Sequence, residues 1–213
     1  MLIDENKKVI FVTPYKTGSH TLGATIKTSR IIIQQHATYT GLKRNFPDLY
    51  DDVIENYTKY FVVRNPWSHA VSHYMHCIEK KQQPDLFKPN CPEHKKNILK
   101  NFNSFVKSKF YIPQSQITFN DNLFVYDLAI KFEKLNEEME KLCSELNIEY
   151  KKWNQNTGTD SKKEYFLGYE YPDDYRTMYD EESIDIVRQK SENVEVVNKT
   201  ERGEEGVGST GIK

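Results

Sequence analysis

Two segments about fifty residues apart, Val9–Leu22 and Tyr60–Tyr74, each pass from an apolar, β-branched run through a tight turn into a helical start. Such strand–turn–helix units build α/β layer folds. The first turn carries Lys16, Thr17, Gly18, Ser19, His20 and Thr21. The second carries Arg64, followed by Ser72 on the helix behind it. Each offers cationic and hydroxyl groups where anions bind. Two such turns in one small α/β chain predict a ligand with phosphate at two separate places.

The chain's overall charge makes these local features decisive. The 213 residues carry a formal net charge of −1, so no global basic field argues for nucleic acid, and an anion site has to be built locally. No apolar run approaches the roughly 20 residues of a membrane span. The opening Met1–Lys8 lacks the apolar core of a signal peptide, and a cytoplasmic location is expected. Cys77, Cys91 and Cys143 are an odd set without metal-ligand spacing and are expected as free thiols.

Strands are predicted at Lys8–Thr13, Arg30–Gln34, Lys59–Val63 and Ala129–Phe132, with shorter apolar runs around the Asn120–Asn122 turn. Helices are predicted over Ser19–Ser29, Phe46–Asn56, Trp67–Lys81, Asn97–Lys109, Lys134–Leu146 and about Asp180–Lys190. Pro84, Pro89 and Pro92 mark a loop over Gln82–Glu93. The alternation predicts an α/β fold on a parallel sheet, as a single domain over 1–200 with a flexible, glycine-rich tail over 201–213.

The turn chemistry narrows the function. Backbone N–H groups exposed where a strand feeds a helix favour anions, Gly18 permits close approach, and Lys16 adds a charge. Lys16 precedes the only glycine of the turn, which is the wrong order for a Walker A loop and disfavours a magnesium-dependent nucleotide triphosphatase. Arg64 presents a planar fork suited to phosphate where its strand ends.

Taken together, the two segments resemble the donor-binding motifs of the sulfotransferase family that uses 3′-phosphoadenosine 5′-phosphosulfate (PAPS). Tyr15-Lys16-Thr17-Gly18-Ser19 matches the loop that binds the 5′-phosphosulfate, except that Tyr15 stands between Pro14 and Lys16. Arg64-Asn65-Pro66, with Ser72 eight residues after the arginine, matches the element that binds the 3′-phosphate. Lys131-Phe132-Glu133-Lys134-Leu135 is similar to a later strand-to-helix element of the family, with lysine for arginine. The resemblance implies a three-layer, P-loop-like parallel sheet flanked by helices. It also implies sulfuryl transfer without a metal, leaving 3′,5′-bisphosphoadenosine, with Lys16, Thr17, Gly18, Ser19, His20, Thr21, Arg64 and Ser72 holding the donor. The family's C-terminal phosphate clamp is matched poorly: Arg202 and Gly203 sit among acids.

The acceptor hydroxyl has to lose a proton, and a histidine near neutrality suits that role. His36 follows the second strand and is the expected base, beside Lys16 as the second catalytic residue; His20 is the lesser candidate. His69, His73 and His76 are expected to point to solvent, and His94 lies in the proline-rich loop. No metal site is expected. Polar, aromatic segments at Pro84–Lys96 and Lys151–Tyr171 suit a sugar or glycan acceptor. A small-molecule kinase on a related sheet and a non-catalytic binder of the bisphosphate remain as alternatives.

Overall fold

The computed structural model describes residues 1–27, 30–32, 39–80, 83–114, 126–152 and 165–192. Its strands are β1 (Leu2–Asp4), β2 (Val9–Val12), β3 (Ile26–Lys27), β4 (Arg30–Ile32), β5 (Thr58–Val63), β6 (Leu128–Lys131) and β7 (Glu149–Tyr150). Its helices are α1 (Ser19–Thr25), α2 (Tyr39–Asn45), α3 (Pro47–Asn56), α4 (Pro66–Ile78), α5 (Glu93–Leu99), α6 (Phe102–Lys107), α7 (Leu135–Glu145) and α8 (Glu181–Glu192).

Among the described residues, the main sheet has five strands in the order β4-β1-β2-β5-β6. Strands β2, β5 and β6 are parallel, as the alternation predicts. The sheet as a whole is mixed, because β1 runs antiparallel to both β2 and β4. Strand β1 is not among the predicted strands, since three residues leave no room to show a period. It pairs with β2 through the turn at Glu5–Lys8, where Asp4 Oδ1 accepts the Lys7 N–H at 3.0 Å and Lys8 takes a φ of 51°. Two reversals leave β4 pointing the same way as β2, so both strands end at the same edge of the sheet.

Period-two alternation splits each strand between two cores. Val9, Phe11, Tyr60, Val62 and Ile130 pack with Leu22 of α1 and Leu135, Met139 and Leu142 of α7. Ile3, Ile10, Val12 and Phe61 pack on the opposite face with Leu42 of α2 and Tyr50 and Val53 of α3. The result is a helix–sheet–helix sandwich. A third core joins α4 to α5, α6 and α8 through Val71, Tyr74, Met75, Ile78, Leu99, Phe105 and Val187.

Several boundaries differ from expectation for local reasons. The helix expected over Asn97–Lys109 is two helices, because Asn101 is extended and its Oδ1 accepts the Ser104 N–H at 2.8 Å, restarting the helix. The helix from Ser19 ends at Thr25, and Ile26–Lys27 pairs with β7. Among its described residues the proline-rich loop contains one 3₁₀ turn, Pro84–Phe87, and His94 lies beyond the loop, on α5. All three cysteines are free thiols. The runs flanking Asn120–Asn122 and the tail over 201–213 lie outside the described residues. Among the described residues, no helix is long and apolar enough to cross a membrane.

Candidate functional site

The parallel neighbours β2 and β5 end side by side, with Val12 paired to Phe61. Ligands bind in α/β sheets beyond such carboxyl ends. After β2, the Thr17 N–H donates to the Pro14 carbonyl at 3.2 Å and closes a four-residue turn. The Thr17 hydroxyl donates to the same carbonyl at 2.7 Å. Thr17 is fully buried, so its side chain shapes the turn from inside. Lys16, third in the turn, has a φ of 64°, the type II arrangement, which is unusual for a residue with a Cβ.

Gly18 precedes α1 with a φ of 88°, and a Cβ there would meet Phe132 at 3.1 Å and Leu135 at 3.2 Å. Both contacts and the left-handed backbone require glycine. Gly18→Ala is expected to cost at least about 1–2 kcal/mol from the backbone alone, and urea unfolding checks it. A loss below a few tenths of a kcal/mol would mean that the turn relaxes freely. Ser19 and His20 open α1, and Thr21 is buried on it.

The second turn follows β5. Asn65 caps α4, its Oδ1 accepting the N–H groups of Trp67 at 3.0 Å and Ser68 at 3.2 Å. Pro66 takes the first helical position, where a missing N–H costs nothing. Arg64 is then fixed on several sides. Its Nη1 donates to the Lys16 carbonyl at 2.9 Å and its Nε to Ser68 Oγ at 3.1 Å. Its guanidinium lies 4.4 Å from the centre of the Phe132 ring. Burial lowers its pKa, opposed by Tyr171 and by the charge of Glu133. It remains a cation at any ordinary pH.

The third matched segment ties these turns together. The parallel register pairs Val63 with Lys131, which sets Phe132 and Glu133 beside the end of β5. Glu133 Oε1 accepts the Asn65 N–H at 2.8 Å, while Phe132 touches Arg64 and the Cβ position of Gly18. Gln114 adds a brace: its Oε1 accepts the Arg64 N–H at 3.0 Å and its Nε2 donates to the Val62 carbonyl at 2.7 Å. The sequence suggested a donor-binding role for Ser72. Ser68 is the serine that bonds Arg64, and Ser72 lies buried one helical turn further along the same face.

The α4 histidines differ from expectation. His69 and His73 are buried, not solvent-facing. His69 Nε2 donates to the Tyr15 carbonyl at 2.9 Å, and the Tyr15 ring packs roughly perpendicular to His73 and His76, with ring centres 5.1 Å and 5.2 Å apart. Positions 69, 73 and 76 form one face of the helix. That face receives Tyr15, the residue that departs from the family pattern. Burial pushes His69 down to about 4, helped by the charges of Arg64 and Lys16. Burial also pushes His73 down to about 3, with His69, His76 and Lys16 adding to it. Both rings are neutral at ordinary pH.

The structure therefore brings Lys16, Gly18 and Arg64 together at one sheet edge and adds Ser68, His69, Gln114, Phe132, Glu133 and Tyr171 around them. His36 and the Arg202–Gly203 segment lie outside the described residues. Among the described residues, no cluster of three or more histidine, cysteine or carboxylate groups could hold a metal ion. Two cationic residues and a glycine in the left-handed region thus stand at the ends of adjacent strands. The sequence profile of the sulfotransferase family matches residues 1–194. No curated protein and no solved structure matches the chain.

Proposed function

Because the chain belongs to the sulfotransferase family, we propose that it transfers a sulfuryl group from PAPS to a hydroxyl (or amine) of a small molecule or glycan. The observation that carries this reading is the bond from Arg64 Nη1 to the Lys16 carbonyl at 2.9 Å, which holds the two cationic turns against each other. The donor set fits an adenosine carrying phosphates at both ends: a point charge with a glycine for close approach, and an oriented fork a short distance away.

In this reading Lys16, Gly18 and Ser19 receive the 5′ end and Arg64 the 3′-phosphate, with Ser68 and Phe132 orienting the guanidinium. His20, Thr21 and Ser72 belong to the same proposed site. The donor, when bound, supplies a sulfuryl group activated by a phosphate leaving group. The Lys16 ammonium balances negative charge where that phosphate departs. Catalysis otherwise rests on positioning, as in phosphoryl transfer.

His36 takes the acceptor's proton in this proposal. Support comes from β4, which points the same way as β2 and ends at Ile32, four residues before His36. His36→Ala is expected to slow turnover while leaving nucleotide affinity intact; near-normal turnover on an identified acceptor would put the base elsewhere. The polar and aromatic make-up of Pro84–Lys96 and Lys151–Tyr171 supports a sugar-like acceptor.

Saturating 3′,5′-bisphosphoadenosine is expected to raise the melting midpoint, since a ligand at 100 times its Kd adds about 2.7 kcal/mol. Labelled PAPS offered with a panel of carbohydrates, phenols and amines should label one class, and EDTA should leave that activity intact. An unmoved midpoint would sink the reading. Abolition by EDTA with rescue by magnesium would point to a kinase, and binding without transfer to a non-catalytic relative.

A further inference from the structure

We propose that His69 is a positioning residue that locks the Tyr15–Lys16 peptide, holding Lys16 in its left-handed conformation and so fixing where its ammonium stands. The proposal rests on Lys16 acting at the site as described above.

A four-residue turn has two close alternatives related by a flip of its central peptide. Type II needs a positive φ at the third residue, and type I a negative one. Lysine disfavours the positive region, so the Pro14–Thr17 turn by itself favours type I. Lys16 nevertheless has a φ of 64°. The group that swings in such a flip is the Tyr15 carbonyl, and it is the one held by His69 Nε2 at 2.9 Å. The two flanking carbonyls are held as well, Pro14 by Thr17 and Lys16 by Arg64. Of these three bonds, the one to the Tyr15 carbonyl distinguishes the two turn types.

His69 is fully buried, so water does not readily replace its bond. Its Nδ1 has no hydrogen-bond partner among the described residues. A buried imidazole with one bare nitrogen pays a desolvation cost that an apolar residue would avoid. Packing alone therefore does not account for histidine at this position, whereas a donor aimed at the Tyr15 carbonyl does. The carbonyl can only accept, which fixes the neutral Nε2–H tautomer. The Tyr15 ring, braced by His73 and His76, keeps the carbonyl within reach.

The test compares two substitutions and two half-ligands. His69→Leu keeps the bulk and loses the donor; His69→Gln keeps an Nε2 donor at nearly the same reach. Adenosine 5′-monophosphate reports on the Lys16 end and adenosine 3′-monophosphate on the Arg64 end. His69→Leu is expected to weaken the 5′-monophosphate about ten-fold, as the competent turn becomes the minor state. The 3′-monophosphate should change by no more than about two-fold, since Ser68 and Phe132 still orient Arg64. His69→Gln should bind both like the unsubstituted protein.

Equal losses for both ligands, or a lower melting midpoint with both affinities unchanged, would assign His69 to packing only and overturn the proposal. So would failure of glutamine to restore binding. If His69→Leu does not fold, His69→Met against His69→Gln makes the same comparison. If the unsubstituted protein binds neither monophosphate nor the bisphosphate, the functional reading falls and this proposal with it. Binding by the unsubstituted protein with no response in His69→Leu overturns the His69 assignment alone.

Discussion

Arg64→Ala should lower the affinity for 3′,5′-bisphosphoadenosine by about 10²-fold or more, and the affinity for 5′-AMP far less. Truncating one side of a buried, hydrogen-bonded charge pair costs about 2–5 kcal/mol, and only the bisphosphate carries the group that Arg64 is proposed to meet. Some loss for 5′-AMP is expected too, because the Lys16 carbonyl gives up the bond at 2.9 Å that holds its turn. Arg64→Lys should recover little. An ammonium keeps the charge but cannot bond Lys16 and Ser68 and lie on Phe132 at once. Titration calorimetry of both ligands against both variants checks this. Parallel losses for the bisphosphate and 5′-AMP would remove Arg64 from the 3′ end.

The second large effect is acid lability. Above about pH 6.5, His69 and His73 are neutral whether the chain is folded or not, and their burial carries no proton penalty. As pH falls below that value, the unfolded chain takes up protons that the folded chain refuses. Stability then drops until the folded rings also titrate, near about 4 for His69 and about 3 for His73. His69 alone should account for about 3 kcal/mol of this loss, a large part of a typical domain's total of about 5–15 kcal/mol. The two rings lie 6.2 Å apart, so charging one makes charging the other harder. Urea unfolding at steps between pH 8 and pH 4 should show a steep decline, and His73→Phe should flatten it. A curve unchanged by that substitution would locate the acid sensitivity in other groups.

How far the sequence could be read depended on how far apart the interacting residues lie. The Lys16 and Arg64 turns are local: glycine, proline and an asparagine cap announce them within a few positions. That both face one edge followed from strands alternating with helices. Gln114, Phe132 and Glu133 reach the Arg64 turn across 50 to 68 residues, and only the β5–β6 register brings the last two there. The segment around Phe132 was visible as a resemblance, while its duty of bracing both turns was not. His69 and His73 are buried against expectation, because polar rings at positions 69, 73 and 76 look in sequence like a wet face. Ala70, Val71, Tyr74, Met75 and Ile78 already supplied an apolar face on the same helix. Nothing local reports that Tyr15, more than fifty residues earlier, would cover the other.

Helix α4 is thus a wall shared by two rooms. One side carries the histidines that grip the Tyr15 turn, and the other is the floor of the core built with α5, α6 and α8. Tyr179, just ahead of α8, closes over its start through a bond from its hydroxyl to the Trp67 carbonyl at 2.8 Å. A partition of this kind makes breathing motions on either side common property. Amide exchange should therefore find the α4 backbone among the last to open, and a change that loosens the distant helical side should be felt as a softer seat for the nucleotide.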